Sequence, residues 1–106
     1  MKAGLVSVSF RPYSIEEIIS AAKAQNLTHI EWGSDIHAPY SNEENLKKIA
    51  ALCKENSITC SYGTYFRFGQ TPMEELEKYI AAAKVLGADI LRVSLCICRN
   101  HLVRQR

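Results

Sequence analysis

The chain repeats one unit: a short apolar strand, an amphipathic helix, and a return to another strand. Strand-like runs begin near residues 3, 28, 58 and 89, a spacing of roughly 25–30 residues that matches the βαβ unit. Strands joined through helices run parallel, and a parallel sheet is stable only when it is closed or covered. The repeat therefore predicts an α/β fold of about four parallel strands and three helices. After the fourth strand no further helix is legible. At 106 residues the chain falls far short of the about 250 residues of a complete eight-stranded barrel. The expectation is a partial (β/α) barrel of the TIM type.

The helices are marked by their starts. Residues 3–10 read as the first strand and Arg11-Pro12-Tyr13 as a loop. Ser14 with Glu17 forms a capping box, followed by the apolar stripe Ile15, Ile18, Ile19 and Ala22, with Asn26 as the stop. The second strand is expected over 28–32 and a loop over 33–40. Ser41 with Glu44 is read as a second capping box, before the stripe Leu46, Ile49, Ala50 and Cys53. The third strand is expected over 58–62 and an aromatic loop over 63–70. Thr71, Pro72 and Glu74 read as a third start, with Pro72 at the first helical position, and Gly87 as the C-terminal cap. The fourth strand is expected over 89–93.

Side chains alternate faces along a strand. Sorted by parity, the strands give Leu5, Ser7, Ser9 against Val6, Val8, Phe10; His29, Glu31 against Thr28, Ile30, Trp32; Thr59, Ser61 against Ile58, Cys60, Tyr62; and Ile90, Arg92 against Leu91, Val93. Each strand has one apolar and one more polar face. A doubly wound sheet, covered on both sides, calls for central strands apolar on both. One covered face and one polar face suit a barrel lumen; a flavodoxin-like open sheet with polar strand ends is the alternative.

Composition narrows the function classes. A hydrophobic content of 47% and a charged content of 23% are those of a soluble globular chain. No run reaches the roughly 18 apolar residues of a membrane span, and no secretory leader is read, so a cytoplasmic protein is expected. The net charge of +2 comes from the end of the chain: Arg99, Arg104 and Arg106 leave 10 basic against 11 acidic side chains in residues 1–93, or −1. A body without excess positive charge does not attract nucleic acid. Cys53, Cys60, Cys96 and Cys98 are read as reduced thiols, the first two as small buried hydrophobes.

The segments His29-Ile-Glu-Trp-Gly33, Ser61-Tyr-Gly-Thr-Tyr-Phe-Arg67 and Gly87-Ala-Asp-Ile-Leu-Arg-Val93 resemble, in order and spacing, the xylose-isomerase-like sugar phosphate isomerases and epimerases, a superfamily that also includes endonuclease IV. The resemblance covers residues 1–93. It implies a (β/α)8 barrel, a sugar or sugar phosphate as partner, and a divalent metal held by Glu, Asp and His of later strands. Such isomerases need a base beside a carbonyl and a positive centre for the developing enediolate. The resemblance places those groups outside residues 1–106, so no catalytic residue and no metal ligand is assigned, and the chain alone is expected to be inactive.

What it does assign is part of a pocket wall. Glu31 could bind a sugar hydroxyl or serve as a salt-bridged structural acid. Trp32 could stack on a sugar face, although its parity points to the helix-side core. His37 lies in the loop after the second strand, within reach of substrate or solvated. Tyr62, Tyr65 and Arg67 follow the third strand, and Arg67 could pair with a phosphate or stand at the surface. Arg92 belongs to the polar set and could neutralise Glu31.

Residues 94–106 carry neither capping box nor amphipathic stripe and are expected to be an aberrant or disordered basic tail, from a truncated or shifted reading frame. Cys96, Cys98 and His101 offer three zinc ligands at most and are not assigned as a metal site. Two further functions remain open. A partial barrel exposes sheet edges that could pair with another copy, making a self-assembling half-barrel module. An endonuclease-IV-like DNA repair fragment is disfavoured by the near-neutral body.

Overall fold

A computed structural model describes residues 3–95. The elements are β1 (Gly4–Val6), a 3-10 turn (Ser7–Phe10), α1 (Ile15–Ala24), β2 (His29–Gly33), α2 (Glu43–Glu55), β3 (Thr59–Phe68), α3 (Met73–Leu86) and β4 (Ile90–Leu95). The four strands form one parallel sheet in the order β1-β2-β3-β4. A single buried cluster joins Ile15, Ile18 and Ile19 of α1, Leu46 and Ile49 of α2 and Leu86 of α3 to Ile30, Trp32, Cys60 and Tyr62 of the sheet. All three helices thus cover one face, and the winding does not reverse among the described residues. Burying one of the larger apolar side chains contributes roughly 1.5–3 kcal/mol, so this one layer carries the fold.

The local signals decide where helices begin. Ser14 Oγ accepts from the Glu17 amide at 3.1 Å, and Glu17 Oε1 accepts from the Ser14 amide at 2.9 Å, the expected capping box. Asn26, just past α1, takes a left-handed φ of 57°. The other two starts differ from expectation. α2 is capped by Asn42, whose Oδ1 accepts from the Asn45 amide. A turn from the Asn42 amide to the Pro39 carbonyl fixes the chain one residue beyond Ser41, and Asn caps as well as Ser. At α3 the Thr71 hydroxyl accepts from the Arg67 amide instead. It closes the turn out of β3, and Pro72 takes the cap position without a side-chain bond. Gly87 ends α3 in the left-handed region, φ 77°.

The strands also depart from the sequence expectation. β1 stops at Val6, and its parity is the reverse of that expected: Leu5 pairs with Ile30 on the helix side, and Val6 with Glu31 on the bare side. The reason lies in Ser7, which turns inward and accepts from the Gly33 amide at 2.8 Å, so the chain leaves the strand there. β3 continues to Phe68 where a loop was expected. Between Gly63, opposite Arg92, and Arg67, opposite Ser94, it takes four steps to β4's two. Thr64 fills this bulge: its hydroxyl donates to the Arg92 carbonyl and accepts from the Phe66 amide. The two extra residues preserve parity. β4 runs to Leu95, so Ser94 and Leu95 extend the sheet. The tail expected over 94–106, with Cys96, Cys98, His101 and the three arginines, otherwise lies outside the described residues. Among those residues no helix is long and apolar enough to cross a membrane.

Candidate functional site

The uncovered face of the sheet is built in rows. The lowest joins Gly4, His29 and Thr59; the next joins Val6, Glu31, Ser61 and Ile90; the third joins Gly33, Gly63 and Arg92. His29 Nδ1 lies 2.7 Å from Thr59 Oγ1, and Nε2 lies 2.9 Å from Ser61 Oγ. The Thr59 hydroxyl already donates to the Thr28 carbonyl. The Thr59 oxygen is therefore left to accept from His29 Nδ1.

Above it an ion pair crosses the sheet. Arg92 Nε of β4 donates to Glu31 Oε1 of β2 at 3.0 Å, although β3 lies between these strands. The crossing runs over Gly63. A Cβ there would stand 2.7 Å from Arg92 Nη2 and 2.8 Å from Glu31 Oε2, so the missing side chain is what lets the two meet. Hydrogen bonding to Glu31, against a smaller effect of burial, raises the Arg92 pKa.

At the C-terminal ends of the strands, side chains from three consecutive strand exits converge. Arg11, after the 3-10 turn, donates from Nε to Asp35 Oδ2 at 2.8 Å and from Nη2 to the Tyr65 hydroxyl at 3.0 Å. Tyr65 of β3 donates in turn to Asp35 Oδ2 at 3.1 Å. Partial burial pushes the Asp35 carboxyl upward, but hydrogen bonds from Arg11, the Ile36 amide and Tyr65 outweigh it and hold the group below its usual range. Asp35 Oδ1 is buried without a hydrogen-bond partner among the described residues, so this oxygen retains accepting capacity.

The expected pocket residues divide cleanly. Glu31, Tyr65 and Arg92 lie on the bare face in the arrangement above. Arg67 is exposed two residues beyond Tyr65 on the same strand. Trp32 and Tyr62 are instead fully buried in the helix-side core, with the Tyr62 hydroxyl donating to the Ala38 carbonyl; parity put them there, and neither presents a ring to solvent. His37 is neither solvated nor open to a ligand. It is 4% exposed, donates from Nε2 to the Tyr13 carbonyl at 2.7 Å, and packs edge-on against Trp32. Cys53 and Cys60 are free and buried. Hydrogen bonding to Cys60 and burial push the Cys53 thiol up, so it remains an un-ionised core side chain.

Arg11, Asp35 and His29 were not singled out from sequence. His29 shared Glu31's parity, and Arg11 and Asp35 each sit just beyond a strand run; that position at parallel strand exits was the available signal. Chemically the face offers hydroxyls, one imidazole and two carboxylates each matched by an arginine. No three His, Cys, Asp or Glu side chains among the described residues are gathered to hold a metal ion. No protein-family model, curated protein or solved structure matches the chain.

Proposed function

We propose that residues 3–95 form the opening part of a (β/α) barrel of the sugar phosphate isomerase and epimerase kind, and that its bare face is one wall of the sugar pocket. One observation carries this reading: Arg11 and Asp35, which follow β1 and β2, and Tyr65, near the C-terminal end of β3, converge on the face that the helices leave uncovered. In barrels that end of the strands is where substrates bind. Paired carboxylate and guanidinium groups with a phenol at their junction present donors and acceptors at fixed spacing, which is how vicinal hydroxyls are held. Arg67, exposed beyond Tyr65, is the group available to a phosphate. Proton abstraction and metal binding are not functions of these residues, so the chain binds without turning over.

The test is an amide and side-chain NMR titration with an aldose, its 6-phosphate and inorganic phosphate. The reading expects weak binding, with Kd on the order of 1 mM, equivalent to about −4 kcal/mol, and shifts centred on Arg11, Asp35, Tyr65 and Arg67. Tyr65→Phe weakens the sugar response and leaves the helical circular dichroism unchanged. Shifts confined to the helix side, or none at all, contradict the reading. Aldose–ketose turnover by the purified chain with added Mg2+ or Mn2+ contradicts the assignment of chemistry elsewhere.

A further inference from the structure

The described residues hold two free cysteines, Cys53 and Cys60, and the end of α2 brings them together. Ser57 takes a left-handed φ of 56°. Its amide donates to the Lys54 carbonyl at 3.3 Å, and the Ile58 amide donates to the Cys53 carbonyl at 2.8 Å. These two bonds make a Schellman motif, which turns the chain back into β3. Ile58 and Cys60 share parity and point to the helix side, where both are buried in one cluster with Cys53. The Cys53 and Cys60 thiols lie within hydrogen-bonding reach of each other. Trp32 is the third member of the group. Cys60 pairs with Ile30 and Tyr62 with Trp32, so the indole is the diagonal neighbour of Cys60 on the same face. Trp32 Nε1 is buried without a hydrogen-bond partner among the described residues. An orphan donor is costly to bury, and a sulfur anion would satisfy it. The two sulfurs are not equivalent. Cys53 sits in the last turn of α2, whose carbonyl end opposes negative charge. Hydrogen bonding from Cys53, helped by Trp32, outweighs burial and the Asp89 charge and holds the Cys60 thiol below its usual range.

We propose that Cys53 and Cys60 are a dithiol that hydrogen peroxide closes to a disulfide under α2, with Cys60 as the attacking sulfur and Cys53 as the resolving one. The Cys60 thiolate attacks one peroxide oxygen. The S–O bond forms, the O–O bond breaks, and the leaving hydroxide takes the Cys53 proton and becomes water. The Cys53 sulfur then displaces hydroxide from the Cys60 sulfenic acid. The S–S bond forms, the S–O bond breaks, and the second hydroxide takes up the proton that Cys60 had released. Two thiols and one peroxide thus become one disulfide and two waters; the sulfurs are oxidised and the peroxide oxygens reduced. Both cysteines are buried, 2% and 4% exposed, which selects an oxidant as small as a peroxide over a bulky one such as oxidised glutathione. Cys60 points away from Ser61 and the bare face, so the reaction is independent of the sugar reading.

The test uses the full chain carrying Cys96→Ser and Cys98→Ser, so that Cys53 and Cys60 are its remaining cysteines. Peroxide is expected to join the tryptic peptides spanning residues 49–54 and 55–67 with the loss of two hydrogens, and dithiothreitol to separate them. Oxidised glutathione leaves them separate. Trp32 emission falls on oxidation, because a disulfide quenches an adjacent indole, and returns on reduction. Two variants in the same background assign the roles, with helical circular dichroism as the check of folding. Cys53→Ala stops at the sulfenic acid, so dimedone labels Cys60; in Cys60→Ala dimedone leaves Cys53 unlabelled. The peptide mapping needs neither variant. Peptides that stay separate in the folded chain, or that join only in urea, overturn the proposal, as does Trp32 emission unchanged by oxidation. Dimedone on Cys53 in the Cys60→Ala chain overturns the assignment of the attacking sulfur, and joining by oxidised glutathione as fast as by peroxide overturns the choice of oxidant.

Discussion

Gly63 is the residue on which the bare face turns. It lets Arg92 reach Glu31 across an intervening strand. With the Arg92 side chain 49% exposed, solvent screens the pair, and its coupling is expected at about 0.5–1 kcal/mol. A double-mutant cycle of Glu31→Gln and Arg92→Gln, read by urea denaturation, should return that coupling in the native background. The same cycle built on Gly63→Ala should return near zero, because the new methyl displaces both side-chain ends. Equal coupling in both backgrounds would contradict the geometry. Asp35 makes a pH-dependent prediction. Its carboxyl is held below the usual range, so as pH falls the unfolded chain binds that proton first. The stabilisation is therefore full above the unfolded value, about pH 4, and disappears as pH drops through the lower folded value. Asp35→Asn should be less stable than the native chain at neutral pH, and the difference should vanish in acid. Glu31 and Arg92 were legible from parity and from their opposite charges. Arg11 and Asp35 were not, since they sit beyond the strand runs, where parity does not sort side chains, and their position at the strand exits was the only signal.

Elements were legible where a local bond fixes them and obscure where a distant one does. The Ser14–Glu17 box needs only its own four residues, and it forms as read. Ser41 and Thr71 carry the same local signal, but a turn to Pro39 and a bond from the Arg67 amide take over. Alanine substitutions followed by thermal and urea unfolding separate these cases. Ser14→Ala and Asn42→Ala should each cost about 1 kcal/mol, whereas Ser41→Ala should fall within about 0.5 kcal/mol of the native chain. A larger loss at Ser41 than at Asn42 would restore the cap read from sequence. The strand ends follow the same logic. β1 is cut short because Ser7 finds the Gly33 amide, 26 residues on. β3 runs past its expected end because the bulge at Thr64 keeps the ladder to β4 alive.

For the whole molecule, the element order, the parallel sheet and its one-sided covering follow from periodicity and parity, because those depend on composition averaged over a strand rather than on a single contact. In β2, β3 and β4 the polar set lies on the face opposite the helices, as parity implied. β1 alone is reversed, since three residues are too few for an alternation to declare itself once the chain turns at Ser7. The account stands on this division of faces: Trp32 and Tyr62 under the helices, and His29, Glu31 and Arg92 on the bare side. Trp32 is the only tryptophan in the chain and is fully buried on the helix side, which makes acrylamide quenching of its fluorescence the most direct measurement. The account predicts blue-shifted emission, quenching far weaker than that of free tryptophan, and no change on adding sugar phosphate. Red-shifted emission that acrylamide quenches freely, or that a sugar protects, would place the ring on the open face and contradict it.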